Sequence, residues 1–489
     1  MNETIETSGK SHEFKKSLNL FDATMIVMGS MIGSGIFIVS ADMSRILGSP
    51  GWLLVAWIIT GVMTLFAALS YGELAGMMPN AGGIYIYLRE AFGPLFGFLY
   101  GWTGFMVIQS GTIAAVAMAF AKFSGVLWPW ISEENIILKM GKFGFNTTQL
   151  VAILLIVVLS YINSRGMVLG KFIQNLFTNI KFIVLLAFII VGLFIARNEI
   201  AIKSNLEIFW QAQQVKDGVA VSLTGFSLVA AIGVAMVGSL FTVDSWYSVT
   251  FTGAEIINPK KNIPRSLVLG SGLVIVLFIL TNLVYLLILP LRGDAAAADV
   301  LGQGIQYAVK DRVATAAISD LFGTNAAMIM AIFIIISSFG CNNGIIMTSS
   351  RVYYAMAKDG LFFKKVGTLN KHNVPGRGLF AICVWSCLLC LSGSYSQLLD
   401  YVVFAVLIFF VLTITGIFVL RYKKPDAERP VKAFGYPYIP AIYILFTLFL
   451  LADLLYTKPE YTGAGLIIVL IGIPIYFVWR YVNKNSNKN

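Results

Sequence analysis

An all-α polytopic membrane protein with twelve spanning helices, the first and sixth of them broken, is the fold this sequence predicts. Three observations carry the prediction. The 489 residues are 58% hydrophobic and only 12% charged, with a mean hydropathy of +0.81, whereas an ordinary soluble domain carries roughly 25% charge. Apolar runs long enough for a hydrocarbon core of about 30 Å fall at 20–47, 51–78, 92–121, 149–163, 172–196, 221–252, 266–290, 325–354, 378–393, 397–420, 437–456 and 462–482. Two of those runs, the first and the sixth, are interrupted in mid-span by residues that disfavour a helix.

Within the first run, Gly29-Ser30-Met31-Ile32-Gly33-Ser34-Gly35-Ile36-Phe37 sets three glycines and two serines near where the bilayer midplane would fall. A glycine inside a helix costs roughly 1 kcal/mol relative to alanine. Freed backbone groups facing lipid would cost several more, so a broken membrane helix normally lines a polar cavity. Its half-helix ends present N–H groups to an anion and carbonyls to a cation. Close packing through small residues is the competing reading.

The second to fifth runs complete a five-helix unit. The fourth is short, and the fifth carries the charged Lys181. The sixth run holds the second interruption, Gly238-Ser239-Leu240-Phe241-Thr242-Val243-Asp244-Ser245-Trp246-Tyr247, five helices after the first. That is the spacing of an inverted repeat, so helices 1–5 and 6–10 are related units and helices 11 and 12 are additions. The ninth run is again short. The organisation is then a tail at 1–19, a twelve-helix domain at 20–482 (repeats at about 20–196 and 221–420, extra helices at 437–482) and a tail at 483–489.

Ionisable groups at the bilayer centre cost roughly 2.5–3.5 kcal/mol or more, which makes Asp244 and Lys181 informative. Asp244 is placed either to cap the second half-helix or to meet a substrate amine or guanidinium. Lys181 lies near the cytoplasmic third of helix 5, where it can snorkel to the interface. Alternatively its ammonium bridges broken helix 1 to helix 8 and does the work of a bound cation, or carries a proton.

An even number of spans puts both termini on one side. About twice as many Lys and Arg residues fall on that side as on the other, which makes it the cytoplasmic side of the plasma membrane. The net charge of +11 is accounted for by topology and anionic membrane lipid, without a nucleic-acid partner. Residues Met1–Lys16 lack the apolar core of a signal peptide. Cys341, Cys383, Cys387 and Cys390 all fall in helices 8 and 9 and read as small packing residues. Asn146-Thr147-Thr148 fits a glycosylation sequon on the outer loop between helices 3 and 4. The two histidines, His12 and His372, lie in polar segments. With no nucleophile–base constellation or metal-ligand cluster in the spans, neither an enzyme nor a metal or cofactor is expected. No ring of carbonyls or charges of the kind selectivity filters use marks a pore.

Five motifs occur in order: Gly33-Ser34-Gly35-Ile36-Phe37; Tyr71-Gly72-Glu73-Leu74 leading into Pro79-Asn80-Ala81-Gly82-Gly83-Ile84-Tyr85; Phe177-Thr178-Asn179-Ile180-Lys181; Gly253-Ala254-Glu255-Ile256-Ile257-Asn258-Pro259 and its basic continuation to Arg265; and Ser338-Phe339-Gly340-Cys341-Asn342-Asn343-Gly344 with Ser349-Ser350-Arg351. With them the chain resembles the amino acid–polyamine–organocation superfamily, and within it the L-type amino acid transporters and their bacterial relatives, from about Leu18 to helix 12. The resemblance implies a leucine-transporter-type fold with a 5+5 inverted repeat, and sodium-independent exchange of L-amino acids by alternating access. It implies that the α-carboxylate is held around Ser34, Gly35 and Ile36, and that the α-amine meets carbonyls near Met31 and Phe241. Ile32, Gly33, Thr242 and Ser245 complete the lining of the two breaks. Phe241 falls at the family's outer aromatic gate. Lys181 matches a lysine that stands in the sodium-site region, and Glu255, Glu73 and Arg351 look like inner-gate or loop-anchoring charges, for which weak surface salt bridges are the alternative.

Two departures stand out. Many neutral-amino-acid members have Gly or Ser at the position of Asp244, whereas the branch that carries cystine and dibasic amino acids has Asp, so cationic substrates gain weight. Ser245 replaces the usual glycine before Trp246, and Tyr247 stands where large-neutral carriers have Asn. The family's light chains bond an ancillary subunit through a cysteine in the outer 3–4 loop, and residues 122–148 contain none. No disulfide-linked heavy chain is therefore expected, and the chain reads as a monomer or weak homo-oligomer. A proton-coupled symporter and an amino acid/polyamine antiporter are the alternatives, with a non-transporting amino-acid sensor as the reading from another class.

Overall fold

The computed structural model describes residues 13–140, 143–216, 219–392 and 395–486; His12 and the rest of 1–12 lie outside them. The first span is α1 (Leu20–Met31) and α2 (Val39–Leu47), joined by a single 3₁₀ turn at Gly35–Phe37. Next come α3 (Pro50–Met77), the short α4 (Ile84–Phe92), and a third span of α5 (Pro94–Thr103) and α6 (Gln109–Leu127) joined by a π-helical turn at Gly104–Ile108. Strands β1 (Ile136–Met140) and β2 (Phe143–Asn146) form an antiparallel hairpin before α7 (Thr147–Ser164) and α8 (Met167–Phe194). Helix α9 (Glu199–Glu207) and a second hairpin, β3 (Gln213–Lys216) and β4 (Val219–Ser222), precede α10 (Gly225–Thr242).

The sixth span continues beyond α10 only as 3₁₀ turns at Trp246–Phe251 and Gly253–Glu255. Helix α11 (Pro259–Ile288) follows, then α12 (Val300–Gln303) and α13 (Val313–Phe322). The remaining spans are α14 (Ala326–Lys358), α15 (Gly376–Ser392), α16 (Tyr395–Lys423), α17 (Tyr438–Thr457) and α18 (Pro459–Ser486). Among the described residues, ten helices are long and apolar enough to cross a membrane, and Leu20–Met31 and Gly376–Leu391 are shorter apolar ones. The twelve expected spans are thus present, with both interruptions at the expected places.

Several expectations need correction. The second half of the sixth span is 3₁₀ throughout. Helix α18 runs to Ser486, past the expected start of the tail at 483. The two hairpins and the connecting helices α4, α9, α12 and α13 left no apolar run to find. Asn146 serves as a helix cap: its Oδ1 accepts from Gln149 N at 2.9 Å while Gln149 Oε1 accepts from Asn146 N at 3.1 Å. A reciprocal cap satisfies two N–H groups and is worth about 1 kcal/mol. Asn19 and Asp22 start α1 in the same way, at 2.9 and 3.1 Å. Asp22 is further fixed by Lys171 at 3.1 Å and Asn175 at 2.7 Å from α8.

The first and sixth spans run in opposite directions. Leu18, just before α1, pairs with Ile256, where the sixth span leaves, and the N–H groups of Ser17 and Leu18 both donate to Glu255 O, at 2.9 and 3.0 Å. At the same end, Glu73 is 1% exposed and accepts from Arg421 at 3.0 and 2.6 Å and from Ala433 N at 2.7 Å, with Arg429 at 3.3 Å. The connection between α16 and α17 is also tied to α4, through Lys424–Glu90 at 2.7 Å and Lys423 Nζ to Ala91 O at 3.0 Å, and to α11 through Lys260–Glu428 at 2.5 Å.

Candidate functional site

The two breaks touch. A Cβ on Gly35 would lie 2.4 Å from Thr242 Oγ1, and one on Gly33 would meet Cys341 Sγ at 3.4 Å. At Gly35, glycine is what lets the first break approach the last turn of α10. The competing reading of simple close packing therefore holds in part, since small residues do bring the backbones together here.

Where α1 ends, its freed carbonyls are collected by side chains of α8 and α14. Lys181 Nζ donates to Gly29 O at 2.7 Å and to Ile32 O at 2.8 Å. Ser337 Oγ lies 3.1 Å from both Ile32 O and Gly33 O, and Cys341 Sγ donates to Ser30 O at 3.0 Å. Lys181 is 4% exposed and packs on α14, where a Cβ on Gly340 would come within 2.9 Å of its Cε. The ammonium points inward rather than to the interface and ties α8 to broken α1, with its stem packed on α14 at Gly340. Cys341 is likewise more than a packing residue.

Beyond those carbonyls, the backbone N–H groups of Gly33, Ser34 and Gly35 find no acceptor among the described residues. Ile36 O accepts from Tyr285 OH at 3.1 Å. Successive unpaired N–H groups at a half-helix start favour an anion. Met31 and Ile32 form the carbonyl edge of the same turn, and both are buried.

Opposite, Phe241 and Thr242 end α10 and are buried. Asp244 does not cap the following 3₁₀ turn, whose first position is Ser245 without a side-chain cap. Its Oδ2 meets Ser245 Oγ at 3.4 Å, and its Oδ1 is buried without a partner. The carboxylate faces a narrow cleft between α3, α10, α16 and α17, lined by Thr64, Trp246, Phe410, Tyr443 and Thr447, with about 20 Å³ of free space, roughly one water molecule.

Ser245 has φ +67, a left-handed conformation that a side chain destabilises by roughly 1–2 kcal/mol. Glycine loses roughly 0.5–1 kcal/mol more than other residues on ordering. Ser245→Gly is therefore expected to stabilise the protein by a net of about 0.5–1 kcal/mol, read as a higher melting temperature in detergent. An unchanged or lower value would mean that the Ser245 hydroxyl at Asp244 outweighs the strain.

The cytoplasmic-side expectation for Glu255 resolves into a specific pair. Arg351 Nε and Nη2 grip its two carboxylate oxygens at 2.9 and 3.0 Å, with side-chain exposures of 1% and 2%. Arg351 also donates to Met347 O. A weak surface bridge is excluded. Sequence reasoning missed Asp453 on α17, which is 7% exposed, has an unpartnered Oδ2 and stands where a Cβ on Gly233 would lie 2.2 Å from it. It also passed over Gln174, which joins Asn343 at 2.9 Å in a buried amide chain that continues to Asn163 at 2.9 Å.

Comparison with known proteins bears on the chain as a whole. A family model described as amino acid permease matches residues 18–478. The chain is 29% identical to the large neutral amino acids transporter small subunit 2 of Mus musculus over 98% of this chain and 85% of that protein. It is 28% identical to the b(0,+)-type amino acid transporter 1 of Mus musculus, over 98% and 91% respectively. It is also 28% identical to the cystine/glutamate transporter of Homo sapiens, over 96% and 87%.

Proposed function

The chain belongs to the amino acid permease family, and on that premise we propose that it exchanges L-amino acids across the plasma membrane by alternating access, without sodium. The observation that carries the reading is the first break, which touches the second at Gly35 and Thr242 and turns N–H groups one way and carbonyls the other. The N–H groups of Gly33, Ser34 and Gly35 suit a carboxylate, while the Lys181 ammonium occupies the carbonyls that a bound cation would need. Relatives named as amino acid transporters over nearly the whole chain support it.

In this reading the substrate carboxylate docks at Gly33–Gly35, its α-amine at the carbonyl edge by Met31 and Phe241, and Phe241 closes over it. Glu255 with Arg351 seals the cytoplasmic end, and both termini are cytoplasmic. Helices α1, α2, α3, α10 and α11 rock against α5–α7, α14 and α15. The chain works without a disulfide-linked partner, since its four cysteines lie in the eighth and ninth spans.

The experiment is uptake of labelled alanine, leucine and arginine into proteoliposomes, with and without unlabelled amino acid inside and with no ion gradient. Exchange is expected to appear only with internal amino acid. Uptake that needs an inward proton gradient instead would overturn exchange in favour of symport.

Asp244 is the side-chain reader in this proposal, and its cleft widens to admit a guanidinium or ammonium. Removing a hydrogen bond to a charged group costs roughly 1.5–3 kcal/mol. Asp244→Asn is accordingly expected to lower arginine and lysine exchange by roughly 10- to 100-fold and to spare alanine. Equal loss for all three would make Asp244 a structural group.

A further inference from the structure

The C-terminal end of α18 carries a cluster of side chains apart from the central breaks. Trp479 Nε1 and Asn483 Nδ2 both donate to Gly360 O, at 3.0 and 2.8 Å, and so lock α18 onto the turn that follows α14. Beside this clamp opens a cleft of about 790 Å³ between α4, α5, the end of α14 and α18. Arg480 and Lys484, one turn apart on α18, project from the same helical face into its wall.

Neither cation has a carboxylate partner among the described residues; Arg480 has only Tyr476 OH at 3.4 Å. The facing acid is already engaged: Asp359 accepts from Arg89 and from Tyr85 OH, the latter at 2.6 Å. The cleft therefore carries a net positive charge. Its rim on α18 is apolar and open, with Phe477 58% and Tyr481 71% exposed. These residues belong to a spanning helix, so they face acyl chains at the level where the cations sit.

We infer that this cleft binds the headgroup of an anionic phospholipid, with Arg480 and Lys484 on the phosphodiester and Phe477 and Tyr481 against its acyl chains. Charge complementarity selects the anion. The apolar rim continuous with the membrane surface selects a lipid over a soluble phosphate. Cationic residues at a helix end next to a negatively charged leaflet are the usual means of such recognition.

Native mass spectrometry of the intact protein in detergent tests this, with phosphatidylglycerol and phosphatidylcholine of identical chains as probes. The wild type is expected to retain phosphatidylglycerol preferentially. The Arg480→Gln/Lys484→Gln variant is expected to bind it roughly tenfold more weakly, while Lys261→Gln/Arg265→Gln, which removes two exposed charges at the start of α11, keeps the preference. Lys484→Gln alone supplies an intermediate loss should the double variant not fold. Equal retention of both lipids, or an unaltered preference in the Arg480/Lys484 variants, would overturn the site. Displacement of the lipid by glycerol phosphate or inorganic phosphate at matched concentration would overturn the lipid as its ligand. No readout involves transport, so failure here and failure of the exchange reading remain distinct.

Discussion

Replacing Lys181 with methionine is expected to abolish exchange and to lower the melting temperature sharply. Methionine is similar in length and apolar, so it fills the same space between α8 and α14 without the ammonium. The carbonyls of Gly29 and Ile32 then lose their donor. Ile32 O retains Ser337 at 3.1 Å, so the full loss falls on Gly29 and a partial one on Ile32. A buried acceptor left unsatisfied costs about 1–3 kcal/mol, and somewhat more when the lost donor was charged. An expected total of roughly 3–5 kcal/mol corresponds to a fall in exchange of about 100-fold or more if the broken turn is needed in its present shape. Uptake and thermal unfolding of the same preparation check it. Full activity with an unchanged melting point would remove Lys181 from the site.

The second large effect belongs to the Glu255–Arg351 pair. Breaking a buried pair from one side leaves a lone charge and costs about 3–5 kcal/mol. Because this pair joins the exit of the sixth span to α14, the cost falls on the closed arrangement, and Arg351→Met is expected to open this end of the protein. Cys341 supplies a native reporter, since it sits at the first break and is 3% exposed. In a background with Cys383, Cys387 and Cys390 changed to alanine, maleimide labelling of Cys341 is expected to rise at least tenfold in Arg351→Met. Combining it with Glu255→Gln should recover part of the closure, since no unpaired charge remains. Labelling that stays flat in the single variant would show that other contacts hold this end shut.

Both breaks were legible because glycine and polar residues in mid-span are costly in hydrocarbon, so their presence there is itself a signal. The direction of Lys181 was not. The apolar run begins at 172, but α8 starts at Met167, on an apolar turn that Lys171 cuts off from the run, and this moves Lys181 from the edge of the helix to its middle. Partner identities were beyond reach for a different reason: Glu255 and Arg351 are 96 positions apart, and Glu73 and Arg421 are 348 apart. Such pairs are fixed by how helices approach, and a single chain's periodicity carries no trace of that. The site's carbonyl collectors Ser337 and Cys341 were hidden likewise, since small polar residues in a helix read equally as packing. Asp453 lies within one turn of the end of α17, where an acid passes for an interfacial residue.

The connection between α16 and α17 has a mechanical consequence. It is anchored to α3 by Glu73 and to α11 by Lys260, and also to α4 by Lys424, so it straps two helices of the rocking group to the short helix that leads into α5. A strap of fixed contour length sets a limit of travel. Its anchor at Glu73 is buried, whereas Lys260–Glu428 and Lys424–Glu90 are open to solvent and weaken with ionic strength. Salt would therefore lengthen the stroke by freeing the outer anchors first, leaving the grip on substrate untouched.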